Sequence, residues 1–95
     1  MVIIDFFGSM RGVTGKNREE VAVPEGSTVY ELLKTLSGAY GSAFRDEIFL
    51  PDGASLRDDI SITVNHNVAL GPDLDTIKIS DGDNVALLPL FPGGG

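Results

Sequence analysis

The sequence predicts an α+β roll, in which one main helix packs on one face of a mixed sheet of four or five strands. Three observations lead there. Short apolar segments rich in β-forming residues recur near both ends and in the second half of the chain. One stretch, 28–39, carries a helical apolar stripe. Clusters of glycine, proline and aspartate punctuate the rest.

Taken in order, Val2 to Phe7 reads as a strand, Gly8 to Lys16 with its glycines as a loop, and Asn17 to Val23 as a returning strand. The two strands make one hairpin. Pro24-Glu25-Gly26 ends it. Thr28 then opens the helix, with Glu31 at the capping-box spacing. Val29, Leu32, Leu33 and Leu36 fall at i, i+3, i+4 and i+7, one apolar face. Gly38 or Gly41 supplies the stop. In the stretch 42–59, Phe44, Ile48, Phe49 and Leu50 fit a short strand or a turn of helix, and Pro51-Asp52-Gly53 a tight turn. Ile60 to Val64 alternates as a strand, Asn65-His66-Asn67 turns, and Val68-Ala69-Leu70 returns. Gly71-Pro72-Asp73 begins a loop, Asp81-Gly82-Asp83 is a turn, and Asn84 to Leu90 is the last strand. Neither a repeat nor a linker interrupts this order, so a single domain is expected over 1–90, followed by a glycine tail over 91–95.

Composition bounds the chemistry. The chain has no cysteine, which excludes disulfides, thiolate catalysis and cysteine metal sites. Fourteen acids against seven bases give a formal charge of −7, which speaks against nucleic acid as a ligand and suits a basic protein partner. No apolar run is long enough for a membrane span, and Met1-Val2-Ile3-Ile4-Asp5 lacks the basic flank of a signal peptide. A cytoplasmic protein without membrane contact is expected.

The sequence closes on Phe91-Pro92-Gly93-Gly94-Gly95. Glycine has no Cβ, so such a tail can thread a narrow channel and lie against a foreign backbone. Extended, these five residues reach about 17 Å. That is enough to carry a terminal carboxylate into another protein's active site.

Four runs carry a family resemblance: Val2-Ile3-Ile4-Asp5-Phe6-Phe7-Gly8 at the first strand, Gly26-Ser27-Thr28-Val29 at the helix entry, Ile62-Thr63-Val64-Asn65 in the second hairpin, and Asp81-Gly82-Asp83-Asn84-Val85-Ala86-Leu87-Leu88-Pro89 before the glycines. With them the chain resembles the ubiquitin-like β-grasp sulfur carriers, namely the small subunit of molybdopterin synthase and the thiamine-biosynthesis sulfur carrier. The chain departs from that pattern in ending on three glycines rather than two and in placing Leu90 where a second proline is frequent. Its longer middle, 41–59, is closer to archaeal-type relatives and to the eukaryotic modifier that doubles as a sulfur carrier.

The resemblance implies a β-grasp fold and a protein cosubstrate, at most the small non-catalytic subunit of molybdopterin synthase. A partner related to ubiquitin-activating enzymes would adenylate the terminal glycine using its own ATP and Mg²⁺, and a sulfur donor would turn the adenylate into a thiocarboxylate. The reacting residue is then Gly95, with Gly94 as the alternative. Phe7, Val68, Leu88, Leu90, Phe91 and Gly93 would meet the partners: the adenylyltransferase and the large subunit of molybdopterin synthase or another sulfur acceptor. Sulfur for molybdenum or tungsten cofactor synthesis is the leading destination. Transfer to tRNA or thiamine, conjugation to proteins as a modifier, and a plain interaction module are the alternatives.

Three other signals point elsewhere and fail. Gly12-Val13-Thr14-Gly15-Lys16-Asn17 lacks the glycine spacing and the hydroxyl residue of a phosphate loop. Asp73, Asp75, Asp81 and Asp83 lack calcium-loop spacing and read as solvated turn acids. His66, the single histidine, sits between two asparagines and reads as a turn residue. No metal and no bound cofactor is expected.

Overall fold

A computed structural model describes residues 1–90. The elements run β1 (Val2–Phe6), α1 (Ser9–Thr14), β2 (Arg18–Val21), α2 (Val29–Tyr40), α3 (Ser42–Ile48), β3 (Ile60–Val64), β4 (Asn67–Ala69), a 3₁₀ turn (Gly71–Asp73) and β5 (Asn84–Pro89). The five strands form one mixed sheet in the order β2-β1-β5-β3-β4. β1 and β5 run parallel, and every other neighbouring pair is antiparallel. The last strand is therefore the central one.

Alternation decides the faces, because successive strand residues point to opposite sides. Val2, Ile4 and Phe6 of β1, Ile60 and Ile62 of β3, and Val85 and Leu87 of β5 are all buried. Against them α2 lays the stripe that its spacing requires: Val29, Leu32, Leu33 and Leu36. Met10 of α1, and Phe44 and Ile48 of α3, join the same cluster. Thr28 caps α2 with its side chain and Gly41 receives the end, so the helix lies one residue later than the expected 28–39.

The structure corrects several local expectations. The segment 8–16 is not simply a loop. It holds α1, which buries Met10 and Thr14 and ends on Gly15 at φ 72°. Its pattern is hard to read because the helix is short and includes Gly12. The stretch 42–59 resolves into α3 followed by a bridge between Phe49 and Leu56. The sheet is accordingly accompanied by three helices, of which α2 is the main one. β1 stops at Phe6, because Gly8 turns the chain into α1. β2 covers 18–21 rather than 17–23, and β5 stops at Pro89 rather than Leu90. The second hairpin turns on Asn65 and His66 alone, at φ 51° and 71°, and Asn67 already belongs to β4. Residues 71–73 form the 3₁₀ turn in place of a plain loop.

Candidate functional site: the uncovered sheet face and the root of the glycine tail

The inward apolar residues of the sheet and the buried apolar side chains of all three helices lie in one cluster. The opposite face of the sheet carries the alternate residues. Register aligns them in a row that crosses all five strands: Arg18, Asp5, Ala86, Thr63 and Val68. In the next row Leu88 stands opposite Ser61. Phe7, just past the end of β1, donates its N–H to the Leu87 carbonyl at 3.2 Å and so stays beside β5.

The face is apolar at one end and polar at the other. Val68 is 62% exposed, Phe7 38% and Leu90 50%, while Leu88 is half-buried. Single exposed apolar residues are ordinary, and it is their grouping on one sheet face that makes this the candidate surface. Arg11 of α1 borders this group. Its guanidinium lies 5.6 Å from the centre of the Phe7 ring, and its Nε donates to the Phe6 carbonyl at 3.1 Å. At the polar end the Asp5 carboxylate accepts from Arg18 Nε at 2.7 Å and from Asn84 Nδ2 at 2.8 Å. The Arg18 hydrogen bond holds the Asp5 carboxyl below its ordinary range, with burial opposing and Asn84 assisting.

β5 delivers the chain to the apolar end. Pro89 closes the strand, with its ring on Gly8, where the nearest ring carbon lies 3.6 Å from the position a Cβ would take. Leu90 donates its N–H to the Asp59 carbonyl at 2.7 Å. Phe7, Val68, Leu88 and Leu90 thus share the uncovered face or its border, the first and last near the root of the tail. Phe91, Gly93, Gly94 and Gly95 lie outside the described residues.

Sequence reasoning missed Arg11, Ala86 and Thr63 as parts of this surface. Arg11 was hidden in the stretch read as a loop. The spacing of Met10 and Thr14, i and i+4, was the available helical signal. Among the described residues, no three acidic or histidine side chains converge to hold a metal ion. Asp83 instead accepts from Asn65 Nδ2 at 3.0 Å and from the Ser80 N–H at 2.7 Å. No described helix is long and apolar enough to cross a membrane.

Known proteins share this fold. The family model described as "ThiS family" matches residues 4–94. The chain belongs to the ThiS family. A curated member-like relative, the molybdopterin synthase sulfur carrier subunit of Drosophila erecta, is 29% identical over 90 residues, covering 94% of this chain and 86% of that protein. Among solved structures, SAMP1 from Haloferax volcanii superposes with a TM-score of 0.83 at 30% identity, covering 98% of both chains. A putative molybdopterin converting factor, subunit 1, from Pyrococcus furiosus gives 0.75 at 25% identity, covering 95% of this chain and 97% of the other. The ubiquitin-like β-grasp expected from the sequence resemblance is therefore the fold, and the ThiS-family chain is of the ubiquitin-like sulfur-carrier kind.

Proposed function

We propose that this ThiS-family chain carries sulfur as a thiocarboxylate on its terminal glycine, for molybdopterin synthesis. The observation that carries the reading is the course of β5. The strand is locked between β1 and β3, ends beside the uncovered apolar face, and leads straight into Phe91-Pro92-Gly93-Gly94-Gly95. The family match extends into those glycines, to residue 94. The likeness to the Drosophila carrier subunit supports molybdopterin as the destination.

The chemistry needs a partner. A carboxylate is a poor electrophile. In the proposed first step a terminal carboxylate oxygen attacks the α-phosphorus of ATP, and pyrophosphate leaves. A hydrosulfide-type donor then attacks the carbonyl carbon, the bond to AMP breaks, and a proton goes to solvent. ATP, Mg²⁺ and the catalytic groups belong to an adenylyltransferase of the ubiquitin-activating kind, and this chain is its cosubstrate. Ordering the three glycines in that site costs on the order of 3–6 kcal/mol, since each residue costs about 1–2. Docking of the sheet face, through Phe7, Val68, Leu88 and Leu90 together with Phe91, offsets that cost. Both events belong in the cytoplasm, where ATP is at hand.

The test is intact-mass analysis after incubation with the cognate activating enzyme, ATP and a sulfur donor. A gain equal to oxygen replaced by sulfur on the full chain assigns Gly95. The same gain only after loss of one glycine assigns Gly94. No gain under conditions that convert a known carrier rejects sulfur carriage. A second reading, conjugation to other proteins as a ubiquitin-like modifier, is favoured by the 30% identity to SAMP1. Lysine-linked adducts in the native host would distinguish it.

A further inference from the structure

We propose that Pro89 is a positioning residue: seated on Gly8, it fixes the point from which the tail leaves the sheet. On the β3 side, β5 is held to its end by backbone pairing. Ile60 stands opposite Pro89, and beyond it Leu90 donates to the Asp59 carbonyl at 2.7 Å. On the β1 side that pairing runs out. β1 stops at Phe6, the Phe7 N–H reaches only the Leu87 carbonyl, and Pro89 has no N–H of its own to offer.

Where the ladder is missing, the Pro89 ring faces the Gly8 turn. Gly8 turns the chain into α1 at φ 54° and ψ −131°, a conformation open to glycine and costly for any residue with a Cβ. Three carbons of the Pro89 ring, Cγ, Cδ and Cβ, lie 3.6, 3.7 and 3.8 Å from where that Cβ would be. The ring thus caps the turn, and the turn is kept in place from the other side. Met10 and Arg11 donate to the Phe7 and Gly8 carbonyls, and Met10 is fully buried. Both flanks of the last β5 residue are therefore fixed, one by β3 and one by the entry to α1. A fixed exit point would place the terminal carboxylate for reaction once the sheet face is docked, an effect on the bound chain rather than on docking itself.

The inference rests on the proposed carboxylate chemistry for its consequence, but the clamp itself can be measured on the full chain alone. In Pro89→Gly, amide exchange at Leu90 should rise about tenfold, the factor for one backbone residue set free. Exchange at Ile62, in the neighbouring strand, should stay as it was. Unchanged exchange at Leu90 overturns the proposal. The second arm uses the adenylating enzyme that charges the wild-type chain. Pro89→Gly should lower kcat for pyrophosphate release by a similar factor, with KM within about twofold. A rise in KM at constant kcat would make Pro89 a docking contact and overturn the positioning role. Should no enzyme charge the wild-type chain, the functional reading fails, and exchange at Leu90 still decides the clamp.

Discussion

Asp5 and Arg18 face each other across β1 and β2, joined by Nε to Oδ1 at 2.7 Å and by a longer Nη2 to Oδ2 contact at 3.4 Å. The pair closes the polar end of the uncovered sheet face. Arg18 is largely exposed and the Asp5 side chain is not. The carboxyl is held low, first by the Arg18 hydrogen bond. A depressed folded-state pKa adds stability above the unfolded value of about 3.9, and that stability is lost as pH falls through the folded value. Denaturant melts from pH 6 downward should therefore lose stability below about pH 4. Asp5→Asn should flatten that slope relative to wild type. Equal slopes would show that the pair is neutral to folding.

Thr28 and Glu31 cap α2 reciprocally. The Glu31 N–H donates to Thr28 Oγ1 at 3.2 Å, and the Thr28 N–H donates to Glu31 Oε1 at 2.9 Å. Thr28→Ala should cost about 1 kcal/mol, read as a shifted urea midpoint at constant slope.

Leu33 is fully buried between α2 and the sheet. Truncating such a leucine costs about 2–5 kcal/mol, and a carboxylate adds the penalty of an unpaired buried charge. Leu33→Asp should leave the chain unfolded by amide spectra. A dispersed spectrum would refute the packing of this helix face.

Val68 and Leu88 allow the proposed docking face to be tested apart from folding. Val68→Glu, on a largely exposed position, should change stability by about 0.5 kcal/mol or less. Leu88→Glu, half-buried, should cost more, yet stay below the range of a core truncation. Each should weaken binding to the activating enzyme by more than about 1 kcal/mol, measured by titration calorimetry. Unaltered affinity in both variants would move the docking surface elsewhere.

His66 occupies the second position of a two-residue hairpin turn at φ 71°. A left-handed residue with a Cβ costs about 1–2 kcal/mol, partly offset by the extra freedom glycine has when unfolded. His66→Gly should raise stability by about 0.5–1 kcal/mol, seen as a higher Tm. A lower Tm would mean that the imidazole makes a contact worth more than the strain.

Much of this fold was legible because its strong signals are local. The capping box and four-residue stripe of α2 give its start and its buried face. The Asn65-His66 turn lies between two β-rich runs. What escaped was decided at a distance. α1 is too short to form on its own and persists because Met10 enters the core. Phe44 and Ile48 fit a strand or a helix equally well by spacing. Contact with α2 and the core settles them as α3. The apolar end of the sheet face could be listed residue by residue from the sequence. The row from Arg18 to Val68 could not, because it depends on β1 pairing with a strand some eighty positions away.

That long-range pairing has a consequence for biogenesis. β1 with β2, and β3 with β4, can each pair locally as the chain is made. They are joined into one sheet only when β5 slides between them. A fragment that stops short of β5 lacks the strand that joins the two hairpins, and without Val85 and Leu87 its core is left open. The keystone strand is also the last one before the closing glycines of the sequence. A truncation that cuts into β5 therefore costs the sheet its closure, whereas one that removes only the glycines leaves every strand pairing intact.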